Sequence, residues 1–230
     1  DRPAWEVKYT VVQAAPYAYV AAPVVVTISE SGPVRLTLEI KRTYGTSTFI
    51  QKVSLSPAGA SDIVGVQNLI DWKTQGTLLK ASFPMTVSNA MATYDLGMGT
   101  IQRPNNQSNF YEVPAQWWAD LTDTGGSYGV AILNDSKYGW DKPANNILRL
   151  TLLHTPSVSS NYPDQATLDI GQHKFMYALA GHAGNWAVAN VPAKAERLNQ
   201  PLRAFQPSKH SGALGKSYSF VQISSPQVAV

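Results

Sequence analysis

The segment VRLTLEIKRTYG, residues 34–45, alternates apolar and polar side chains with a period of two. Val34, Leu36, Leu38 and Ile40 fall on one face, and Arg35, Thr37, Glu39 and Lys41 on the other. Extended backbone produces this alternation and a helix does not, so the segment predicts a half-buried antiparallel strand. STFIQKVSLSP (47–57), TLLKASFPM (77–85) and LRLTLLHT (148–155) repeat the pattern. In the last, Leu148, Leu150 and Leu152 alternate with Arg149 and Thr151. The 16 Gly and 15 Pro punctuate the chain at short intervals, as a sandwich of many strands requires. Helical periodicity is nearly absent. VPAQWWADLTD (113–123) reads as one turn or a short helix with Pro114 near its start. AKAERLNQPL (193–202) reads as another, ended by Pro201. Residues 206–215 read as a loop, after which KSYSFVQI (216–223) returns to strand character. The expectation is an all-β chain: one large antiparallel β-sandwich domain over residues 1–230, with few short helices.

Composition narrows the function classes. A chain of 230 residues that is 44% hydrophobic can fill a sizeable core. Charged residues make up 14%, against about 25% in typical globular chains. Ser, Thr, Asn and Gln supply the polarity, which leans towards a secreted or periplasmic protein, or a surface partly covered by something else. The net charge is only +3 and no Lys/Arg cluster occurs, so the electrostatic footprint of nucleic-acid binding is missing. Without cysteine there is no disulfide, thiolate nucleophile or Cys-ligated zinc. The longest apolar stretch, AAPVVVTI, is far short of a membrane span. The start, DRPAWEVKYT, lacks the charged-then-apolar pattern of a signal segment. The chain reads as a piece of something longer.

The richest stretch chemically is GVAILNDSKYGWDKPANNILRLTLLHTP, residues 129–156. Glycosidases need two carboxyl groups across a sugar, and Asp135 and Asp141 are the nearest local pair. Carboxylates between strands equally cap turns. No Gly-x-Ser-x-Gly elbow supports a serine triad. The histidines, His154, His173, His182 and His210, form no His-x-Asp or His-x-x-x-His pattern. His173 and His182 could meet Asp164 and Asp169 at a metal, or simply hydrogen-bond within loops. Trp72, Trp117, Trp118, Trp140 and Trp186 suit sugar rings as well as cores. Trp140, between Gly139 and Asp141, is the one expected at the surface.

Seven segments, taken in order, resemble the C-terminal β domain of glycoside hydrolase family 38 α-mannosidases. They are SGPVRLTLEIKRTYGTSTFIQKVSL, IDWKTQGTLLKASFP, ATYDLGMGTIQRP, VPAQWWADL, YGVAILNDSKYGWD, LRLTLLHTP and DIGQHKFMYALAGHAGNW. Together they cover roughly residues 30–205. The resemblance implies a galactose mutarotase-like super-sandwich within a retaining, zinc-dependent α-mannosidase. The zinc and the Asp nucleophile would belong to an N-terminal catalytic domain of the same polypeptide, so no catalytic or metal-binding residue falls here. This chain would pack on that domain, lend loops to the mannoside pocket, and be inactive alone. A homo-oligomer remains compatible.

The substrate-binding residues implied are Asp135, Lys137 and Tyr138 of the Asn134–Gly139 loop, together with His154. Relatives commonly read Leu-Leu-Arg-Ser-Pro where this chain reads Leu152-Leu153-His154-Thr155-Pro156. A neutral His offers one donor and one acceptor in place of a five-donor fork. Arg103 and Asp120 could form a buried ion pair, and Asp71-Trp72 a packing corner. Two other classes fit the residues: a non-catalytic carbohydrate-binding module, and a mutarotase-like epimerase using His173 with Asp169.

Overall fold

The computed structural model describes residues 3–21, 23–57 and 59–225. Residues 1–2 and 226–230 of the expected domain lie outside the described residues. Strands run from β1 (Val24–Ser31) through β2 (Leu36–Tyr44), β3 (Ser47–Leu55), β4 (Val64–Trp72), β5 (Thr77–Pro84), β6 (Met91–Asp95) and β7 (Thr100–Pro104). They continue with β8 (Val113–Pro114), β9 (Trp118–Thr122), β10 (Tyr128–Asn134), β11 (Gly139–Ala144), β12 (Ile147–Thr155) and β13 (Gly171–Ala183). The helices are short: α1 (Tyr9–Gln13) and α2 (Val191–Asn199), with a single 3-10 turn at Pro163–Thr167.

One sheet has nine strands in the order β1-β2-β3-β4-β13-β10-β9-β6-β7, and the other has four, β5-β12-β11-β8. The pairings are antiparallel throughout. Phe49, Ile70, Trp72, Leu121 and Ile132 of the large sheet meet Phe83, Trp140, Leu148 and Leu150 of the small one in a single buried cluster. Phe83 and Tyr177 join the two layers edge to face, ring centroids 5.4 Å apart. The expected alternation in β12 holds: Leu148 and Leu150 are fully buried. A register shift between Thr151 and Leu153 then turns Leu153 inward as well as Leu152.

The outer face of the large sheet carries a second core. Ala131, Ala178 and Ala180 form a flat floor on which Val191 and Ala195 of α2 rest, walled by Trp118 and Leu133. β9, β10 and β13 are therefore covered on both faces where α2 lies. Double coverage explains a correction: VPAQWWADLTD is β8 and β9, not a helical turn. In β9, Ala119 and Leu121 enter the central core while Trp118 faces α2, so the apolar run Trp117-Trp118-Ala119 masks the strand period that Asp120 and Thr122 keep on the outer face.

β2 departs from its pattern in the opposite sense. Val34 and Leu36 are exposed and Leu38 and Ile40 only half-buried, whereas Thr37 is buried. Nine strands cannot all be faced by four, and β1 with most of β2 lies beyond the shared core, which reaches β3 through Phe49 and Val53. α2 matches its expected helix and stops before Pro201. Residues 206–215 are irregular as expected, but residues 216–223 form no strand. Trp140, expected at the surface, is fully buried, and its indole nitrogen has no hydrogen-bond partner among the described residues.

Candidate functional site

The Asn134–Gly139 loop is built around one buried amide. Asn134 Oδ1 accepts from the backbone N–H groups of Ser136 (3.1 Å) and Lys137 (2.7 Å), and its Nδ2 donates to Gln116 O. This Asx-type turn projects the next side chains from the end of β10. Asp135 is half-buried, with Ser136 Oγ donating to its carboxylate at 2.9 Å. Lys137 reaches back so that Nζ lies 4.5 Å from the centroid of the Phe175 ring. Burial pushes the Lys137 ammonium pKa down, while the charges of Asp169 and Asp135 pull it partly back up.

Asp169 is the hub that sequence reasoning missed as a neighbour of this loop. It holds a left-handed backbone (φ 60°), unusual for a residue with a side chain. Its Oδ2 accepts from the His154 backbone N–H at 2.8 Å, and its backbone oxygen lies 2.6 Å from His173 Nε2. His154 Nδ1 in turn lies 3.0 Å from Ala4 O of the N-terminal segment. Lys137, which feels the charges of both Asp135 and Asp169, and His154 thus meet at Asp169 although up to 32 positions separate them from it in the chain. Tyr138 does not join them. It is 51% exposed, and its carbonyl accepts from Ala115 N at the start of the smaller sheet. The only available signal for Asp169 was its Asp-Ile-Gly context before a strand.

Trp72 Nε1 donates to Thr155 Oγ1 (2.9 Å), which donates to Leu168 O (2.6 Å). This buried relay ties the connection after β12, and Asp169 with it, to the core. The packing-corner expectation for Asp71-Trp72 fits that role.

Asp141 belongs to a different constellation on the smaller sheet. Its carboxylate is fully buried against Lys80 Nζ (2.9 Å) and Arg149, with Asn106 Nδ2 donating at 2.8 Å. Lys80 also pairs with Glu112, and Thr151 donates to the same Glu112. Arg149 Nη2 donates to Val12 O at 2.7 Å, so α1 lies over the network. Asp141 therefore does not face Asp135 as a glycosidase pair would. The epimerase pairing fails as well: His173 contacts the Asp169 backbone, not its carboxylate.

The metal grouping is likewise overturned. His173 and His182 stand at opposite ends of β13, roughly 30 Å apart at about 3.3 Å per residue. His182 instead pairs with Asp120 at 2.7 Å, and Arg103 packs over the Tyr94 ring and donates to Pro114 O. Among the described residues no group of three or more His, Asp or Glu side chains could hold a metal ion. No described helix is long and apolar enough to cross a membrane.

This architecture and its loops define the β domain of a glycosidase family. The profile of the glycosyl hydrolases family 38 C-terminal domain matches residues 2–165, and the chain belongs to that family. Among curated relatives, human alpha-mannosidase 2C1 is 38% identical over 166 residues, which is 70% of this chain and 15% of that protein. The Saccharomyces cerevisiae alpha-mannosidase is 31% identical over 169 residues, 71% of this chain and 14% of its own. The chain thus spans about 15% of the length of the curated relatives it matches. An alpha-mannosidase structure from Enterococcus faecalis V583 superposes with a TM-score of 0.72 at 17% identity, covering 83% of this chain and 26% of that one. The likeness of fold covers a larger share of the chain than the family match over residues 2–165.

Proposed function

We propose that residues 1–230 form the C-terminal β-sandwich domain of a retaining, zinc-dependent α-mannosidase. Its zinc and nucleophilic Asp reside elsewhere in the same polypeptide, and this chain hydrolyses no mannoside alone. Asp135, Lys137, Tyr138 and His154 line the mannoside pocket from the β-domain side. The convergence of Lys137 and His154 on Asp169, with the Asp135 charge acting on Lys137 as well, supports this reading most strongly. It concentrates charged and hydrogen-bonding groups on connections at one end of a rigid sandwich, where loops carry recognition. The rest of the polypeptide covers the apolar surface of β1 to β3, where Val24, Val25, Val26, Ile28 and Leu36 stand exposed.

The test uses the full-length polypeptide with 4-nitrophenyl α-mannoside. Lys137→Ala and His154→Ala should each lower kcat/KM about tenfold to a hundredfold, the worth of one charged or well-placed hydrogen bond. Zinc content and melting temperature should stay unchanged. Wild-type kcat/KM in both variants would remove these side chains from the pocket.

A further inference from the structure

At the far end of β10 from the Asn134–Gly139 loop, a cleft of about 250 Å³ opens on the outer face of the large sheet. Its floor is a polar row across three strands. Gln102 of β7 is the register partner of Thr93 of β6, and Thr93 is the partner of Asp120 of β9. Trp186, from the connection after β13, forms a wall. Its ring packs on Trp118 with centroids 5.3 Å apart, which fixes its orientation.

Thr93 carries the argument. The residue is only 6% exposed, and its hydroxyl makes no hydrogen bond with another described residue. Its oxygen is not sealed from solvent: Thr93 lines the cleft, so the hydroxyl is free to exchange a water partner for a ligand. Asp120 is 1% exposed; each carboxylate oxygen has one protein partner, Thr122 Oγ1 on one and His182 Nε2 on the other. Each oxygen keeps room for one more hydrogen bond. Gln102 and Thr124 add side chains without described partners. Asp123, also in the wall, is saturated by Ser127 and Tyr128 and serves its turn.

We infer that this cleft binds a neutral saccharide unit. An aromatic wall suits the apolar face of a pyranose, and the row of hydroxyl, amide and carboxylate groups suits its hydroxyls. No Lys or Arg lines the cleft, which disfavours an anionic ligand. The volume accommodates one hexose. This inference does not rest on the proposed role of Lys137 and His154, neither of which lines the cleft.

The test follows the indole N–H resonance of Trp186 in the 15N-labelled chain during titration with methyl α-mannopyranoside and methyl β-glucopyranoside. A saturable shift with at least one glycoside in the millimolar range is expected. Thr93→Val should weaken it at least tenfold without loss of shape. Trp186→Ala, followed through the Thr93 and Asp120 amides, should abolish binding, and Trp186→Phe should retain part of it. No saturable shift with either glycoside overturns the inference. So does binding that survives Thr93→Val and Trp186→Ala intact, or a response to methylammonium alone.

Discussion

Gly129 and His182 are register partners on β10 and β13, and a β-carbon on Gly129 would lie 2.5 Å from His182 Cε1. The missing side chain lets the imidazole lie across β10 and reach Asp120 on β9, the next strand over. Gly184 O can only accept, so its 3.1 Å contact places a proton on His182 Nδ1. The Nε2 contact to Asp120 then needs a further proton, on the ring or on the carboxyl. Burial raises the Asp120 pKa, against the lowering effect of bonds from Thr122 and His182.

Gly129→Ala should therefore break the pair rather than strain the backbone. The expected loss is about 1–3 kcal/mol, the cost of leaving a buried polar group without its partner. In a His182→Ala background the same substitution should cost less, because the imidazole clash is gone and only the 3.0 Å approach to Leu121 O remains. Urea unfolding of the four variants of this cycle measures the coupling. Equal costs in both backgrounds would show that Gly129 is not clearing a path for His182.

Asp141 presents the reverse case, a buried carboxylate with too many partners to act as an acid or base. Burial alone would push its pKa up, but Lys80, Arg149 and Asn106 outweigh it and hold the carboxyl below its ordinary value. Asp141→Asn should cost about 3–5 kcal/mol by leaving Lys80 and Arg149 short of negative charge. The folded pKa lies below the unfolded one. The stabilisation is thus complete above the unfolded carboxylate pKa, about 3.9, and is lost as pH falls through the folded value. Acid titrations of unfolding should be steeper for wild type than for Asp141→Asn.

How much was legible depended on whether a strand shows solvent to one side. β3, β5 and β12 carry alternating patterns because one face is core and the other is polar. β9 opens on Trp118, which a second core covers, so its alternation shows only from Ala119 onward and it read as a helical turn. β2 alternates without the expected burial because no second layer reaches it. At the candidate site, the local turn was readable in Asn-Asp-Ser. Asp169 was not, because its meeting with His154 depends on how the connection after β12 folds back. Trp140 misled because its polar neighbours Asp141 and Lys142 are themselves buried among partners.

Lys142 is 1% exposed and holds no carboxylate; its ammonium donates to Asn89 O, Asn105 Oδ1 and Ala144 O. Burial pushes its pKa down to about 8. Between that value and the unfolded pKa of about 10.4, the unfolded chain binds more protons than the folded one. The Lys142 contribution to stability must therefore rise with pH across this window. Tyr94 and Tyr177, whose pKa values burial raises, act in the opposite sense at high pH. They do so equally in wild type and Lys142→Met, so the difference between the two isolates the lysine. Denaturant unfolding at pH 7 and pH 10 should show wild type gaining on Lys142→Met. A difference independent of pH would mean that the ammonium stays charged throughout.

Thr155 decides whether the connection after β12 stays in place, because its hydroxyl is the middle of the Trp72–Leu168 relay. Thr155→Val preserves shape but strands a buried indole N–H and a carbonyl, at about 1–3 kcal/mol for each group left unpaired. The loss should appear first as local opening, since residues 156–170 have this relay as a tether to the core. Amide exchange at His154, whose N–H donates to Asp169, should then accelerate more than exchange at Leu148 or Leu150 within the same strand. Thr155→Ser restores the hydroxyl and should recover most of the protection. Uniform acceleration along β12 in Thr155→Val would show a global loss of stability and remove the tether from the account of how Asp169 is held.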